Sequence, residues 1–307
     1  MSQYIEEHEV TQAPLDDGTV YSTRKGVIPF HVSPVEDYIP IVGEQKMEKL
    51  EELARKLKGV KLMEVNSTAV GGGVAEMLYS QVPFLNELGI EDYWKIVHGS
   101  PAFYEVTKNL HNLLQGKKGI LTPDMVDIYY HTLEETANIY AEDHCRYKPD
   151  VEIMHDPQPL GLARYLKQPG EKWLWRFHID VEEETLEEKP ALWEFITFWA
   201  TFYDAVIFSG AHYVIGRWPL QKYIIPPFID PLSNKNKEMD AADISRVLQK
   251  YKIDPSIPIL AELGRFDPWK GIDTSINAYR LARKEEPCQL IVAGNMAADD
   301  PQGGEIF

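Results

Sequence analysis

The apolar positions along this chain change period repeatedly, and each change marks an element. Leu62, Met63 and Val65 form a short apolar run suited to a buried parallel strand. Val74, Met77, Leu78, Val82 and Leu85 then recur at helical spacing. The alternation continues. It predicts strands over 60–66, 93–98, 151–155, 172–178, 204–208 and 222–226, and helices over 74–87, 102–115, 124–143, 159–167, 190–202 and 240–250. A charged amphipathic helix over 45–57 precedes them, and short β-like pieces over 4–10 and 27–32 open the chain. Strands alternating with helices through short connections predict an α/β fold with a parallel, doubly wound sheet.

Near Pro226-Pro227 the texture changes. The segment PPFIDPLSNKNKEM is proline-rich, polar and aperiodic, as an interdomain connection would be. A second α/β unit opens with PILAELGRFDPWKG: a strand over 258–263, a turn, a helix from Ile272 to Lys284, and a strand over 288–293. The expected division is therefore 1–232 and 233–307. Two parallel strands and one helix cannot cover both faces of a sheet, so the second domain reads as incomplete. Ile259, Leu263, Leu290, Ile291 and Val292 are expected to lack full cover.

Composition narrows the function classes. A hydrophobic fraction of 44% and a charged fraction of 26% suit a globule with a sizeable core. Lys and Arg number 31 against 48 Asp and Glu, leaving a net charge of −17. Such a surface repels polyanions, and no basic run interleaved with aromatics is present, so nucleic acid is an unsuitable partner. No run of eighteen apolar residues and no basic-then-apolar leader occurs, so neither a membrane span nor a secretion signal is expected. Cys145 and Cys288 are too few for a disulfide framework or a zinc site. Reduced thiols in the cytoplasm are the expectation.

Three stretches carry candidate chemistry. Gly71, Gly72 and Gly73 join the strand at 60–66 to a helix. Glycine there permits unusual backbone angles and leaves bare N–H groups at a positive helix end, a site for phosphate or sugar hydroxyls. A tight structural turn is the other reading. The loop matches neither G-x-G-x-x-G nor a P-loop, which disfavours nicotinamide and ATPase chemistry. In HDPQPLGLARYL and WLWRFHID, His155, Asp156, Arg176, His178 and Asp180 cluster at two strand ends and suit hydrogen bonding to a polyhydroxylated substrate. Against this, the histidines can be structural, Asp156 can cap the helix at 159, and Asp180 heads an acidic run through Glu188 that reads as a solvated face. In GRFDPWKG, Arg265 and Lys270 flank a turn shaped by Pro268 and Gly271, so two cations can converge at a strand's carboxyl end and grip phosphate oxygens. The alternative is an Arg265–Asp267 pair with Lys270 solvated. Neither H-E-x-x-H nor G-x-S-x-G occurs.

Taken in order, NSTAVGGGVAEML, HDPQP, WLWRFHID, IIPPFIDPLSNKN and GRFDPWKG resemble the retaining GT-B glycosyltransferases, nearest the glycosyl-transferring trehalose synthases and the trehalose phosphorylases. The resemblance runs from about residue 58 to 300. It implies two Rossmann-like domains facing a cleft, with the acceptor on the N-terminal one and the nucleotide-sugar donor mainly on the C-terminal one. It also implies roles for single residues: Gly72 and Gly73 approaching phosphates and sugars, His178 beside the donor glucose, and Arg265 with Lys270 holding the diphosphate. Glu76 and Asp156 match motif positions without an assigned role. No metal or cofactor is implied. The partners are small sugars and a nucleoside diphosphate glucose, and a homodimer is left open.

The reaction so implied is retaining glucosyl transfer to glucose, giving trehalose. Phosphorolysis of trehalose and an inactive sugar-binding or interaction protein are the alternatives. The family pattern also includes a downstream glutamate pair that this sequence lacks. The expectation is a fragment or natural truncation that binds sugar weakly and by itself turns over no nucleotide sugar.

Overall fold

The computed structural model describes residues 21–23, 26–28, 33–69, 72–181 and 188–294. Gly71, the β-like piece predicted at 4–10 and the acidic positions 182–187 lie outside the described residues. The chain divides into two compact units, one ending at Asp230 and the other beginning at Pro231.

In the first unit a short antiparallel pair, β1 (Tyr21–Thr23) and β2 (Gly26–Ile28), is followed by α1 (Ile39–Val42) and α2 (Glu44–Lys56). Alternation then begins with β3 (Lys61–Asn66), α3 (Gly73–Glu87), β4 (Glu91–Ile96), α4 (Pro101–Leu114) and α5 (Pro123–Tyr147). It continues through β5 (Val151–His155), a 3-10 turn at Leu160–Leu162 running into α6 (Ala163–Leu166), and β6 (Lys172–Phe177). The unit closes with α7 (Pro190–Ala200), β7 (Ala205–Phe208) and β8 (Gln221–Ile224). Helix starts follow local chemistry. Ser100 accepts from the Phe103 N–H and Thr122 from the Met125 N–H, each just ahead of a proline at the first helical position.

The six strands β3–β8 form one parallel sheet in the order β4-β3-β5-β6-β7-β8. Side chains alternate between its faces. Met63, Val65, Met154, Trp173, Trp175, Phe177, Val206 and Phe208 build one face into a large core with Phe103 and Leu110 of α4, Tyr129 and Leu133 of α5, and Ile196 and Trp199 of α7. On the other face Trp94 packs with Ala75, Leu78 and Val82 of α3. The buried polar residues Glu64, Asn66 and Asp92 belong to that second face, with Glu64 opposite Trp94 and Leu62 opposite Asp92. From β3 the chain first steps outward to β4, then returns past β3 to β5. The strand order therefore reverses between β3 and β5. In open α/β sheets the carboxyl ends at such a reversal leave a crevice that takes ligands.

Three elements depart most from the sequence expectation. The strand predicted at 93–98 runs from Glu91 to Ile96, because the polar Asp92 is fully buried within it. Burial, with Glu64 close by, pushes the Asp92 carboxyl well above the usual carboxylate range. The helix predicted at 124–143 continues to Tyr147 and ends on Lys148 in a left-handed conformation. The helix predicted at 159–167 is a 3-10 turn plus one α-turn. Gly161 is packed so closely there that an added Cβ would lie 2.6 Å from Leu133.

The second unit contains α8 (Ala241–Lys250), β9 (Ile259–Leu263), α9 (Ile272–Glu285) and β10 (Gln289–Ala293), with β9 and β10 paired in parallel. Asp240 caps α8 through the Ala242 and Asp243 N–H groups. Ile259, Leu263 and Val292 are exposed. Among the described residues no helix is long and apolar enough to cross a membrane.

Candidate functional site

At the carboxyl ends of β3, β5, β6 and β7, polar side chains form a continuous line. Glu64 of β3 is fully buried. One of its carboxylate oxygens accepts from the Gln81 side-chain amide of α3, and the other lies 2.5 Å from His155 Nε2. His155 Nδ1 is 3.0 Å from His178 Nε2, and His178 Nδ1 is 3.3 Å from Ser209 Oγ just after β7. The two imidazoles stack with ring planes 7° apart.

The turn after β5 holds this line in place. Asp156 takes a left-handed conformation with φ of 61°. Its N–H donates to the Arg176 carbonyl, its Oδ1 accepts the His178 N–H at 2.9 Å, and its own carbonyl accepts the Trp175 indole N–H at 3.0 Å. Asp156 is therefore no helix cap. The following 3-10 turn has Pro159 at its N-cap without a side-chain bond, and the Asp156 carboxylate fastens the backbone of His178 instead.

His178 is partly accessible and stands outside the aromatic core. Burial pushes its pKa down to about 4. Asp156 opposes the shift, and His155 and Arg176 add to it. The ring is thus neutral at pH 7. We expect its carbon-bound proton resonances to stay constant from pH 8 to pH 5, and a midpoint near 6.5 would contradict the geometry. The sign for stability follows. Between its ordinary 6.5 and about 4 the unfolded chain binds the proton and the folded one does not. The His178 contribution is therefore complete above pH 6.5 and declines as pH falls toward 4.

Arg176 precedes this ring by two residues and is 5% exposed. Its Nε and Nη2 have no hydrogen-bond partner among the described residues. Burial works against its charge, and Glu64 and Asp156 counter that. Asp180 is exposed, and Glu76 lies exposed in the first turn of α3. Gly72 is extended, with φ of −134°, and an added Cβ on it or on Gly73 would meet nothing within 4 Å. Neither described glycine uses the unusual backbone freedom that glycine permits there. What remains is open space above a 15-residue helix that no side chain caps.

In the second unit Arg265 and Lys270 flank a 3-10 turn at the carboxyl end of β9. Arg265 Nη2 lies 3.8 Å from Asp267 Oδ2, while Asp267 Oδ1 accepts the Trp269 N–H at 2.9 Å. Lys270 is exposed. The predicted Arg265–Asp267 contact thus exists as a long ion pair that leaves Arg265 about one-third exposed. Gly271, with φ of 70°, requires glycine's left-handed freedom to start α9. Beside the turn an added Cβ on Gly294 would collide with the Gly264 carbonyl, so the two strand ends touch backbone to backbone.

Among the described residues one group, His144, Glu152 and Glu171, brings possible metal-ligand atoms within 4.8 Å of one another. It lies at the amino ends of β5 and β6, at the opposite end of these strands from His155 and His178. Sequence reasoning missed Glu64, Gln81 and Ser209. For Glu64 the signal was present: a lone carboxylate inside an otherwise apolar strand.

The family described as the N-terminal domain of trehalose synthase matches residues 64–215, the span that contains Glu64, His155, Arg176, His178 and Ser209. Residues 64–215 of the first unit thus resemble the N-terminal domain of trehalose synthase. Over 276 residues the chain is 41% identical to the trehalose synthase of Pyrococcus horikoshii, an alignment covering 89% of this chain and 64% of that protein. It is 26% identical to the trehalose phosphorylase of Grifola frondosa, over 90% of this chain and 42% of that one. Among solved structures, a UDP-forming α,α-trehalose-phosphate synthase from Burkholderia xenovorans superposes with a TM-score of 0.62 at 13% identity, covering 81% of this chain and 69% of that one. At that identity the likeness speaks for the fold, a Rossmann-like α/β arrangement of the GT-B type. The chain spans 64% of the length of its trehalose synthase relative from P. horikoshii. Arg265 and Lys270 fall outside the segment matched to the trehalose synthase domain.

Proposed function

We propose that this chain serves in retaining glucosyl transfer from a nucleoside diphosphate glucose to glucose, forming trehalose. The observation that carries the reading is the position of His178: a neutral, partly accessible imidazole at the carboxyl end of β6, hydrogen-bonded to His155 of β5 beside the reversal of the sheet and inside the segment matched to trehalose synthases. A neutral ring whose Nδ1 faces the Ser209 hydroxyl at 3.3 Å suits a sugar hydroxyl in that place and adds no positive charge beside a reacting glucosyl carbon. In the second unit Arg265 and Lys270 would receive the diphosphate, whose negative charge grows as the glycosidic bond breaks. Among the described residues no pair of carboxylates stands out with the acid and nucleophile placement of a glycosidase, which favours a route without a covalent enzyme intermediate. Attack on the same face as departure suits the site better, with a leaving phosphate oxygen taking the proton of the acceptor hydroxyl.

Trehalose phosphorolysis is the second reading, favoured by the alignment to phosphorylases over 90% of the chain. One experiment separates the two. A chimera carries this chain's aligned segment in place of the corresponding segment of the P. horikoshii trehalose synthase, with its fold checked by circular dichroism. The expected result is trehalose from nucleoside diphosphate glucose and glucose. Trehalose formed only from glucose 1-phosphate and glucose transfers the assignment to phosphorolysis. A folded chimera inactive in both assays overturns the proposal.

A further inference from the structure

We propose that Glu64 and His155 are positioning residues that hold His178 as the Nε2-protonated tautomer, so that its Nδ1 lone pair is what a sugar hydroxyl meets. The inference rests on the glucosyl-transfer reading of the same crevice, and its argument runs along the buried line from α3 to β7. Gln81 donates its amide N–H to one Glu64 oxygen, and the second oxygen faces His155 Nε2 at 2.5 Å. Gln81 donates into Glu64 and the Arg176 guanidinium stands beside it, so in this arrangement both Glu64 oxygens accept and His155 Nε2 donates. With one N–H on each ring, His155 Nδ1 accepts, and the His178 Nε2–H across 3.0 Å is the donor. His178 Nδ1 is then left as an acceptor, and the Ser209 hydroxyl 3.3 Å away donates to it.

The orientation matters to the chemistry. Glycosyl transfer passes through a transition state with positive charge on the sugar ring. A hydroxyl of the transferred sugar that takes the place of Ser209 Oγ donates a hydrogen bond to Nδ1 and gains electron density. The reverse orientation, with the N–H on Nδ1, would direct a donor at the same hydroxyl. Asp156, by accepting the His178 backbone N–H, keeps the ring in register with His155.

The test is the tautomer itself, read from long-range proton–nitrogen correlations of the histidine rings in the ¹⁵N-labelled 307-residue protein. The expected spectrum shows His178 protonated on Nε2 and bare on Nδ1, and the Nδ1-protonated form overturns the inference. Glu64→Gln supplies a second measurement. Its amide keeps the bond from Gln81 and donates to His155 Nε2, so the entire line reverses and His178 becomes Nδ1-protonated. A folded Glu64→Gln variant with an unchanged His178 tautomer also overturns the inference. Ser209→Ala leaves the tautomer as in the parent, and inversion by that change would show that Ser209, not Glu64, sets it. In the transferring chimera Glu64→Gln lowers kcat about tenfold, the scale of one reoriented hydrogen bond, with KM for the donor little changed. The spectrum does not depend on turnover. The expected tautomer in an inactive chimera would leave the positioning assignment standing and remove the glucosyl-transfer reading.

Discussion

Replacing Arg265 with Ala lowers glucosyl transfer by about 10²–10³-fold, and replacing Lys270 with Ala does the same. Both cations belong to the turn at the carboxyl end of β9, where Asp267 and Gly271 fix the backbone between them. Their proposed partner, the leaving diphosphate, is more negative in the transition state than in the bound donor. The loss therefore falls on kcat, and roughly 2–4 kcal/mol is the scale for one preorganised charge-directed contact. Arg265 holds only a 3.8 Å ion pair with Asp267, so its guanidinium keeps capacity for a bidentate grip on phosphate. Lysine at 265 keeps the charge but not the planar fork, and it restores only part of the rate. The assay is steady-state transfer by the chimera described above, and unchanged kinetics in both alanine variants would remove the diphosphate assignment.

Trp175→Ala unfolds the first unit at markedly lower denaturant. The indole is fully buried and lies 4.7 Å from Phe177 and 4.9 Å from Trp218 between ring centroids. Emptying such a site costs about 3–5 kcal/mol. A second effect separates this residue from its neighbours. Its N–H donates to the Asp156 carbonyl, and Asp156 holds the His178 backbone. Trp175→Phe keeps most of the packing and removes only that bond. It should be milder in urea melts yet still disturb the His178 resonances. Equal disturbance by Trp173→Phe, whose indole donates to Glu171 instead, would show that the link through Asp156 is not specific.

Much of the architecture was legible in the residue pattern. The alternation that runs from Leu62 to Ile224 predicted the parallel sheet, and the strand at 151–155 was placed with both of its ends. The misplacements have physical causes. Glu91 and Asp92 look like loop residues, yet Asp92 is fully buried in β4, and no periodicity reveals such burial. The helix predicted at 159–167 is shortened because Gly161 lets Tyr129, Leu133 and Trp199 close over it. The site was read in outline. His155, Asp156, Arg176 and His178 were found because they are polar at strand ends, and the structure does join them. Glu64, Gln81 and Ser209 were missed because their significance arises only when β3, α3 and β7 are brought together. At Gly72 the backbone freedom that glycine permits goes unused, since its φ is ordinary.

Along β3 the residues that face the crevice and those that face the aromatic core are immediate neighbours in sequence: Glu64 between Met63 and Val65, each pointing the opposite way. The two sets share a backbone but no side-chain environment. Substitutions on one face therefore reach the other only through the backbone, so a lineage can vary the polar line while the aromatic core stays in place. The same separation suits directed evolution. Libraries confined to 64, 155, 176 and 178 sample recognition on a scaffold whose hydrophobic packing is left intact, whereas random mutagenesis of the same strands would spend half its hits on stability.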